Sequence, residues 1–284
     1  MATLRDIRKR ITAVTKTQKI TRAMKLVAAA RFARAQAAIR AARPYAEKLR
    51  SVLGSVAAGV STDAHALLAP RERVRRLDLV VFTSDRGLCG AYNANVSRYA
   101  ERLAGERGAE LDEVRIIPVG RKAEEFFKRR KGAQLVEGWS LLGTVQPGHA
   151  QDIATRLIER YLSGETDEVA LVYAEFQSAL TQRPCHQTLL PLAPDDVEEP
   201  RSYEVEPDPA RLLALLVPRA VEFSIYRALL ENQAGELGAR MTAMENATKN
   251  TEELIRSLTI DFNKARQASI TAELIEIVSG ADAL

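Results

Sequence analysis

The chain has 284 residues, enough for one large unit or two modest ones around a substantial core. With 46% hydrophobic and 27% charged residues it reads as a globular protein, and no run approaches the roughly 18 consecutive apolar residues of a membrane span. The net charge of +4 conceals an asymmetry: residues 1–50 carry 14 Lys and Arg against Asp6 and Glu47, a local excess of +12 that leaves −8 on the other 234 residues.

An excess confined to one end predicts an acidic partner, a role that nucleic acid, anionic lipid or an acidic protein surface would each fill. The opening residues, Met1-Ala2-Thr3-Leu4-Arg5-Asp6, lack the apolar core of a secretion signal. Cys89 and Cys185 are too few for a disulfide framework, so a reducing cytoplasmic compartment is expected.

From Leu4 the spacing alternates between three and four residues: Leu4, Ile7, Ile11 and Val14, then a polar stretch at Gln18, Thr21 and Lys25, then Ala28, Phe32, Ala35, Ile39 and onward through Ala46 and Leu53 to Val56. Sustained for about seven heptads, this seam predicts a helix of roughly 80 Å over residues 1–58, and no single globular core covers such a length on one face. The helix therefore needs a long partner. Pro44 is expected to kink it, and the alanines between Ala23 and Ala46 allow a neighbouring helix to approach closely.

Residues 74–193 change period. Strand-like runs at 77–83, 114–119, 133–137 and 169–176 alternate with helical stretches at 93–106, 121–130 and 150–163, which predicts a mostly parallel, doubly wound α/β domain of Rossmann type. Residues 186–192 would add an antiparallel edge. Residues 194–209, with four prolines and seven carboxylates, read as an extended acidic connector.

A second heptad array closes the chain within residues 210–284, through Leu230, Ala234, Leu237, Met241, Met244, Thr248, Thr251, Ile255, Leu258, Phe262 and Ala265, with Gly280 as the expected stop. The simplest pairing is an intramolecular antiparallel coiled coil of the two terminal helices; homodimerisation of each helix is the alternative. The fold class is thus α/β plus a long antiparallel coiled coil.

Catalytic signals are weak. Ser84-Asp85-Arg86-Gly87-Leu88-Cys89-Gly90 follows the first strand, where an open α/β sheet binds ligands, yet it lacks both the Gly-x-Gly-x-x-Gly pattern and a Gly-Lys-Ser/Thr ending. Gly87 and Gly90 are better explained by a tight turn and close helix packing. Cys89 has no histidine near it in sequence, and His65, His149 and His186 show no metal-ligand spacing, so neither a nucleophile, a metal nor a cofactor is expected. Trp139 reads as packing. For the basic helix a protein partner is favoured over nucleic acid, because Phe32 and Tyr45 are the only aromatic residues there for base stacking. A basic coiled-coil binder of nucleic acid or membrane surfaces, and a small α/β enzyme with helical extensions, remain the competing classes.

Three strings carry a family resemblance: TQKITRAMKLVAAAR from Thr17 to Arg31, TSDRGLCGAYN from Thr83 to Asn93, and NKARQASITAELIEIVSGA from Asn263 to Ala281. Together they resemble the gamma subunits of F-type ATP synthases, most specifically at Ile270, Thr271, Glu273, Glu276, Gly280 and Ala281. The resemblance implies a non-catalytic rotor, one copy per complex, inside a ring of alpha and beta subunits, touching epsilon and the membrane-embedded c-ring and no nucleic acid. It implies that Arg266 and Gln267 meet a beta-subunit loop, and that Met24 and Lys25 face an acidic beta segment. It also implies a peripheral location on the cytoplasmic face of a bacterial inner membrane. The cysteine-bearing insertion of plant chloroplast relatives is absent, so no thiol switch is expected.

Overall fold

A computed structural model describes residues 3–58, 65–130, 132–140, 143–193 and 208–282. Two helices dominate it, α1 (Leu4–Ala58) and α5 (Pro209–Asp282), and between them lie β1 (Arg76–Phe82), α2 (Tyr92–Gly108), β2 (Glu113–Val119), α3 (Arg121–Phe127), β3 (Gln134–Leu135), α4 (Pro147–Leu162), β4 (Glu168–Phe176) and β5 (Gln182–Leu190).

The helix starts follow from local chemistry. Thr3 and Asp6 cap α1 reciprocally: the Asp6 amide donates to Thr3 Oγ1, and the Thr3 amide donates to Asp6 Oδ2. Asp208 Oδ1 accepts from the Arg211 amide at 2.9 Å at the start of α5, just ahead of Pro209 at the first helical position. Both long helices contain a proline, Pro44 in α1 and Pro218 in α5. Each proline removes one backbone hydrogen bond, and side-chain packing carries the helix through. Next to Pro44, Tyr45 packs its ring on Phe223 at 5.0 Å between centroids.

The sheet runs in the order β3-β2-β1-β4-β5. β1 lies between β2 and β4, parallel to both, and β5 returns antiparallel on β4 as the sequence predicts. Val80 and Phe82 on one face and Leu79 and Val81 on the other are all fully buried, which explains why β1 reads as a continuous apolar run. α2 and α3 cover the face that carries Leu79, Val81 and Ile116. The opposite face is covered by α4, through Ile153, Leu157 and Tyr161, and by the base of the two long helices, through Leu53, Val56, Val217, Val221 and Ile225. The shaft is therefore rooted in the sheet's own core.

Several bounds differ from the sequence reading: the edge strand expected over 186–192 runs Gln182–Leu190, and the helices expected over 121–130 and 150–163 run Arg121–Phe127 and Pro147–Leu162. The strand expected over 133–137 contracts to Gln134–Leu135, and pairing resumes only as an isolated bridge between Val119 and Trp139. The second helix does not stop at Gly280 but continues to Asp282. Of the acidic connector at 194–209, residues 194–207 lie outside the described part.

Candidate functional site

The feature most open to a partner is the shaft. α1 and α5 run antiparallel, so residues rising along one meet residues falling along the other: Tyr45 with Phe223, Ala35 with Ala234 and Leu237, Lys25 with Glu245, Thr21 with Thr248, and Arg8 with Phe262. Where it passes the sheet the seam is apolar at Ala35, Ala234 and Leu237, and Phe32 packs there on Phe176 at the end of β4, ring centroids 5.4 Å apart. Higher up it turns polar. Thr21 and Thr248 hydroxyls meet at 2.8 Å, and Lys25 forms an ion pair with Glu245, whose carboxyl its hydrogen bond holds below the usual carboxylate range.

Little is buried along this upper part. From Leu4 to Arg34 only Thr21 and Ala28 of α1 are buried, and from Met241 to Ser269 only Met244 and Leu258 of α5. Exposed beside the seam are Ile20, Leu26 and Val27, which share α1 with the exposed cations Lys16, Lys19 and Arg22. The surface therefore combines positive charge with accessible apolar area, the pattern of a docking face for acidic and apolar groups.

α1 begins at Leu4, which the antiparallel register places near Arg266, and α5 then continues alone for 16 residues, roughly 24 Å at 1.5 Å per residue. On this single-helix tip Ile270, Leu274, Ile275, Ile277 and Val278 are all exposed. Ile270, Leu274, Ile277 and Val278 recur at helical spacing and form one apolar stripe. Sequence reasoning did not single it out as a surface. The signal available was the unequal length of the two helices, 55 against 74 residues.

The residues implicated by resemblance fall at two levels. Arg266 and Gln267 are exposed where α1 ends, below the tip. Met24 and Lys25 are half-buried beside Glu245, about 30 Å lower, because 21 helical residues separate Glu245 from Arg266. The members of each pair are consecutive in sequence, and the two helices keep the two pairs apart.

The loop after β1 lies against α5. Its Ser84 amide donates to Asn93 Oδ1 at 2.9 Å, its Asp85 Oδ1 accepts from the Arg121 amide at 2.9 Å, and Arg240 donates to the Gly87 carbonyl at 3.0 Å. Gly90 has φ of 59°, a value that favours glycine, whereas nothing lies within 4 Å of a Cβ placed on Gly87. Leu88 adopts φ of 66° without being glycine and is 61% exposed. Cys89 is buried, and burial together with Glu236 pushes its thiol up, away from the thiolate a nucleophile requires. The histidines are dispersed: His149 caps α4 with Gln146, and His186 bonds the Tyr99 hydroxyl at 2.8 Å. Among the described residues no group of three or more His, Cys, Asp or Glu is placed to hold a metal. Glu236 sits in the angle between shaft and sheet; burial raises its carboxyl above the usual range while Arg240, Arg31 and Arg86 oppose the shift.

Comparison with known proteins gives a consistent picture. A family model described as ATP synthase matches residues 3–284. The ATP synthase gamma chain of Moorella thermoacetica is 47% identical over 286 residues, and that of Desulforamulus reducens 48% identical over 288, each alignment covering all of both chains. Among solved structures, a chain of the central stalk and c-ring assembly of the Tetrahymena thermophila mitochondrial ATP synthase is 27% identical, with a TM-score of 0.61 over 80% of this chain and 99% of that one. A chain of the Euglena gracilis mitochondrial enzyme, at 21% identity, shares the fold with a TM-score of 0.69 over 99% and 94% of the two chains.

Proposed function

Because the chain belongs to the ATP synthase gamma-chain family, we propose that it is the rotating central-stalk shaft of that complex, turned at its sheet end by a c-ring and working along its paired helices on a ring of alpha and beta subunits. The observation that carries this reading is the shaft itself: two long helices paired antiparallel, rooted in a folded base, with a basic, partly apolar flank and a bare apolar tip. A nucleic-acid binder has no use for an apolar tip projecting past the charged helix.

The physical mechanism follows from asymmetry. α1 and α5 differ in sequence, charge and length, so one copy inside a ring of repeated positions presents a different face to each beta subunit at any instant. Each face biases its beta subunit toward a different open or closed state, and rotation exchanges those states. By linkage, ATP hydrolysis on beta drives the shaft in the opposite sense. The chain needs no catalytic group for this; it supplies shape, charge and stiffness.

Within that reading Met24 and Lys25 meet an acidic beta segment. Lys25 retains 36% side-chain exposure despite its bond to Glu245, which leaves its ammonium reachable. Arg266 and Gln267 hold a beta loop near the top of the shaft, where both side chains are exposed. An epsilon subunit is a further partner at the base. The location is the cytoplasmic face of a bacterial inner membrane, supported by the bacterial sources of the similar gamma chains; among the described residues no helix is long and apolar enough to cross a membrane.

Mixing the chain with its cognate alpha and beta subunits is expected to yield a stable assembly with one copy per ring and ATPase activity, and failure of folded partners to assemble would refute the shaft reading. In that assembly Arg266→Ala is expected to weaken coupling between hydrolysis and rotation through loss of a charge-assisted hydrogen bond of about 1.5–3 kcal/mol. Unchanged coupling would remove Arg266 from the contact.

A further inference from the structure

Loops at the carboxyl edge of the sheet close around α5 between Glu231 and Thr242. Glu231 Oε2 accepts from the Phe176 amide at 2.8 Å at the end of β4. Asn232 Nδ2 donates to the Thr83 carbonyl at 3.2 Å, just past β1, while the Tyr92 hydroxyl donates toward the Asn232 carbonyl and Oδ1 at 3.1 and 3.0 Å. Gln233 Nε2 donates to the Gly143 carbonyl at 3.2 Å. Further along, Arg240 Nη2 donates to the Gly87 carbonyl at 3.0 Å and Thr242 Oγ1 to the Ala179 carbonyl at 3.2 Å.

Successive helical residues are turned by about 100°, so Glu231, Asn232 and Gln233 spread over about 200° of the circumference of α5. On the same count Arg240 and Thr242 fall within that sector. The remaining sector is filled by α1, where Ala35, flanked by Phe32 and Ile39, packs on Ala234 and Leu237. The fit is close: a Cβ on Gly235 would stand 2.9 Å from the ring of Tyr92, which is itself 4% exposed.

We propose that this collar is the torque joint of the chain: load passes between sheet and shaft through α5, with the Tyr92-Asn232-Thr83 link as its key, and α1 follows as a brace. The reason is the different character of the contacts. Hydrogen bonds are directional and resist turning of α5 about its axis, whereas apolar packing has no preferred direction and permits small slides. Because the grips on α5 end largely on loop backbone, their geometry is set by the sheet and not by loop side chains. The inference rests on the shaft reading above.

The test uses complexes assembled from cognate subunits, with the alpha and beta ring immobilised, rotation stalled and a bead fixed to the sheet domain, so that angular fluctuation reports torsional stiffness. Tyr92→Phe and Thr242→Val each delete one hydroxyl of the collar. Tyr99→Phe, which deletes the hydroxyl bonded to His186 away from the shaft, is the control. The combined Tyr92→Phe, Thr242→Val complex is expected to show angular variance about 1.5-fold above wild type, the ratio of the collar's six links to the four that remain when they act in parallel, with the control unchanged. Unchanged variance in the assembled double variant overturns the proposal, as does an equal rise in the control. Should Tyr92→Phe fail to assemble, Thr242→Val at its half-buried position carries the same two outcomes. Failure of the wild-type chain to assemble would instead count against the shaft reading itself.

Discussion

The sheet domain and the upper shaft are built by opposite rules. In the sheet, β1 is buried on both faces, and its fully buried Asp78 accepts from Arg160 through Oδ2 at 2.8 Å. In the upper shaft long stretches of both helices bury almost nothing, and large apolar residues stay exposed. A two-helix pair has a single seam and two outer flanks, so it lacks the layers that enclose a core. The sheet is finished by its own chain, whereas the shaft is finished by what surrounds it.

The contrast can be broken first at the sheet. Leu171 in β4 is fully buried, and Leu171→Ala is expected to destabilise the isolated chain by about 2–5 kcal/mol through lost transfer energy and a cavity, measured by urea unfolding. A smaller loss is expected from Asp167→Asn. Burial pushes the Asp167 carboxyl up, but hydrogen bonds from Arg76 and from the Arg75 and Arg76 amides more than offset this and leave it below its ordinary 3.8. A depressed carboxylate stabilises the fold above its unfolded value and loses that contribution as pH falls through the folded one. The variant should therefore cost about 1–3 kcal/mol at neutral pH, with the gap from wild type closing in acid below 3.8. A gap independent of pH would show that Asp167 acts by packing and not by charge.

What the sequence reveals follows the same division. The seam and the strands are legible because period is a local property: the alternation at Leu4, Ile7, Ile11 and Val14 needs no tertiary information, and neither does the apolar run of β1. The antiparallel pairing was readable from two arrays at opposite ends of one chain. The collar was not, since Tyr92 and Asn232 lie 140 positions apart and nothing local distinguishes that asparagine from any other on a helix. The short β3 was missed because propensity extends a strand past the point where its neighbour stops pairing. Met24, Lys25, Arg266 and Gln267 came from resemblance alone. Their surroundings, half-buried or exposed on a helix, show little beyond the Lys25 ion pair that would mark them.

A finer probe lies within the seam. Thr21→Val removes the hydroxyl that meets Thr248 and adds a methyl of similar size at a buried position. One interhelical hydrogen bond is lost, about 0.5–1.5 kcal/mol, offset in part by the new apolar contact. Thermal unfolding followed by far-ultraviolet dichroism should show the helical signal of the shaft melting earlier while the sheet signal holds. Simultaneous loss of both would mean that shaft and sheet unfold as one unit.

The smallest expected effect on stability is at the tip, where the contrast is sharpest. Leu274 is 57% exposed on a helix that has outrun its partner, so Leu274→Ala removes almost no burial from the isolated chain and should change its stability by less than about 0.5 kcal/mol. Alanine is also the better helix former, which offsets part of the small loss. In the assembled complex the same truncation deletes apolar surface that the surrounding ring would cover, at about 25 cal/mol per Å² of area removed from water. Assembly measured by native mass spectrometry should therefore weaken in Leu274→Ala while unfolding of the free chain stays at the wild-type midpoint. If both remain unchanged, the exposed stripe is not a contact surface, and the shaft ends as a docking element below Ile270.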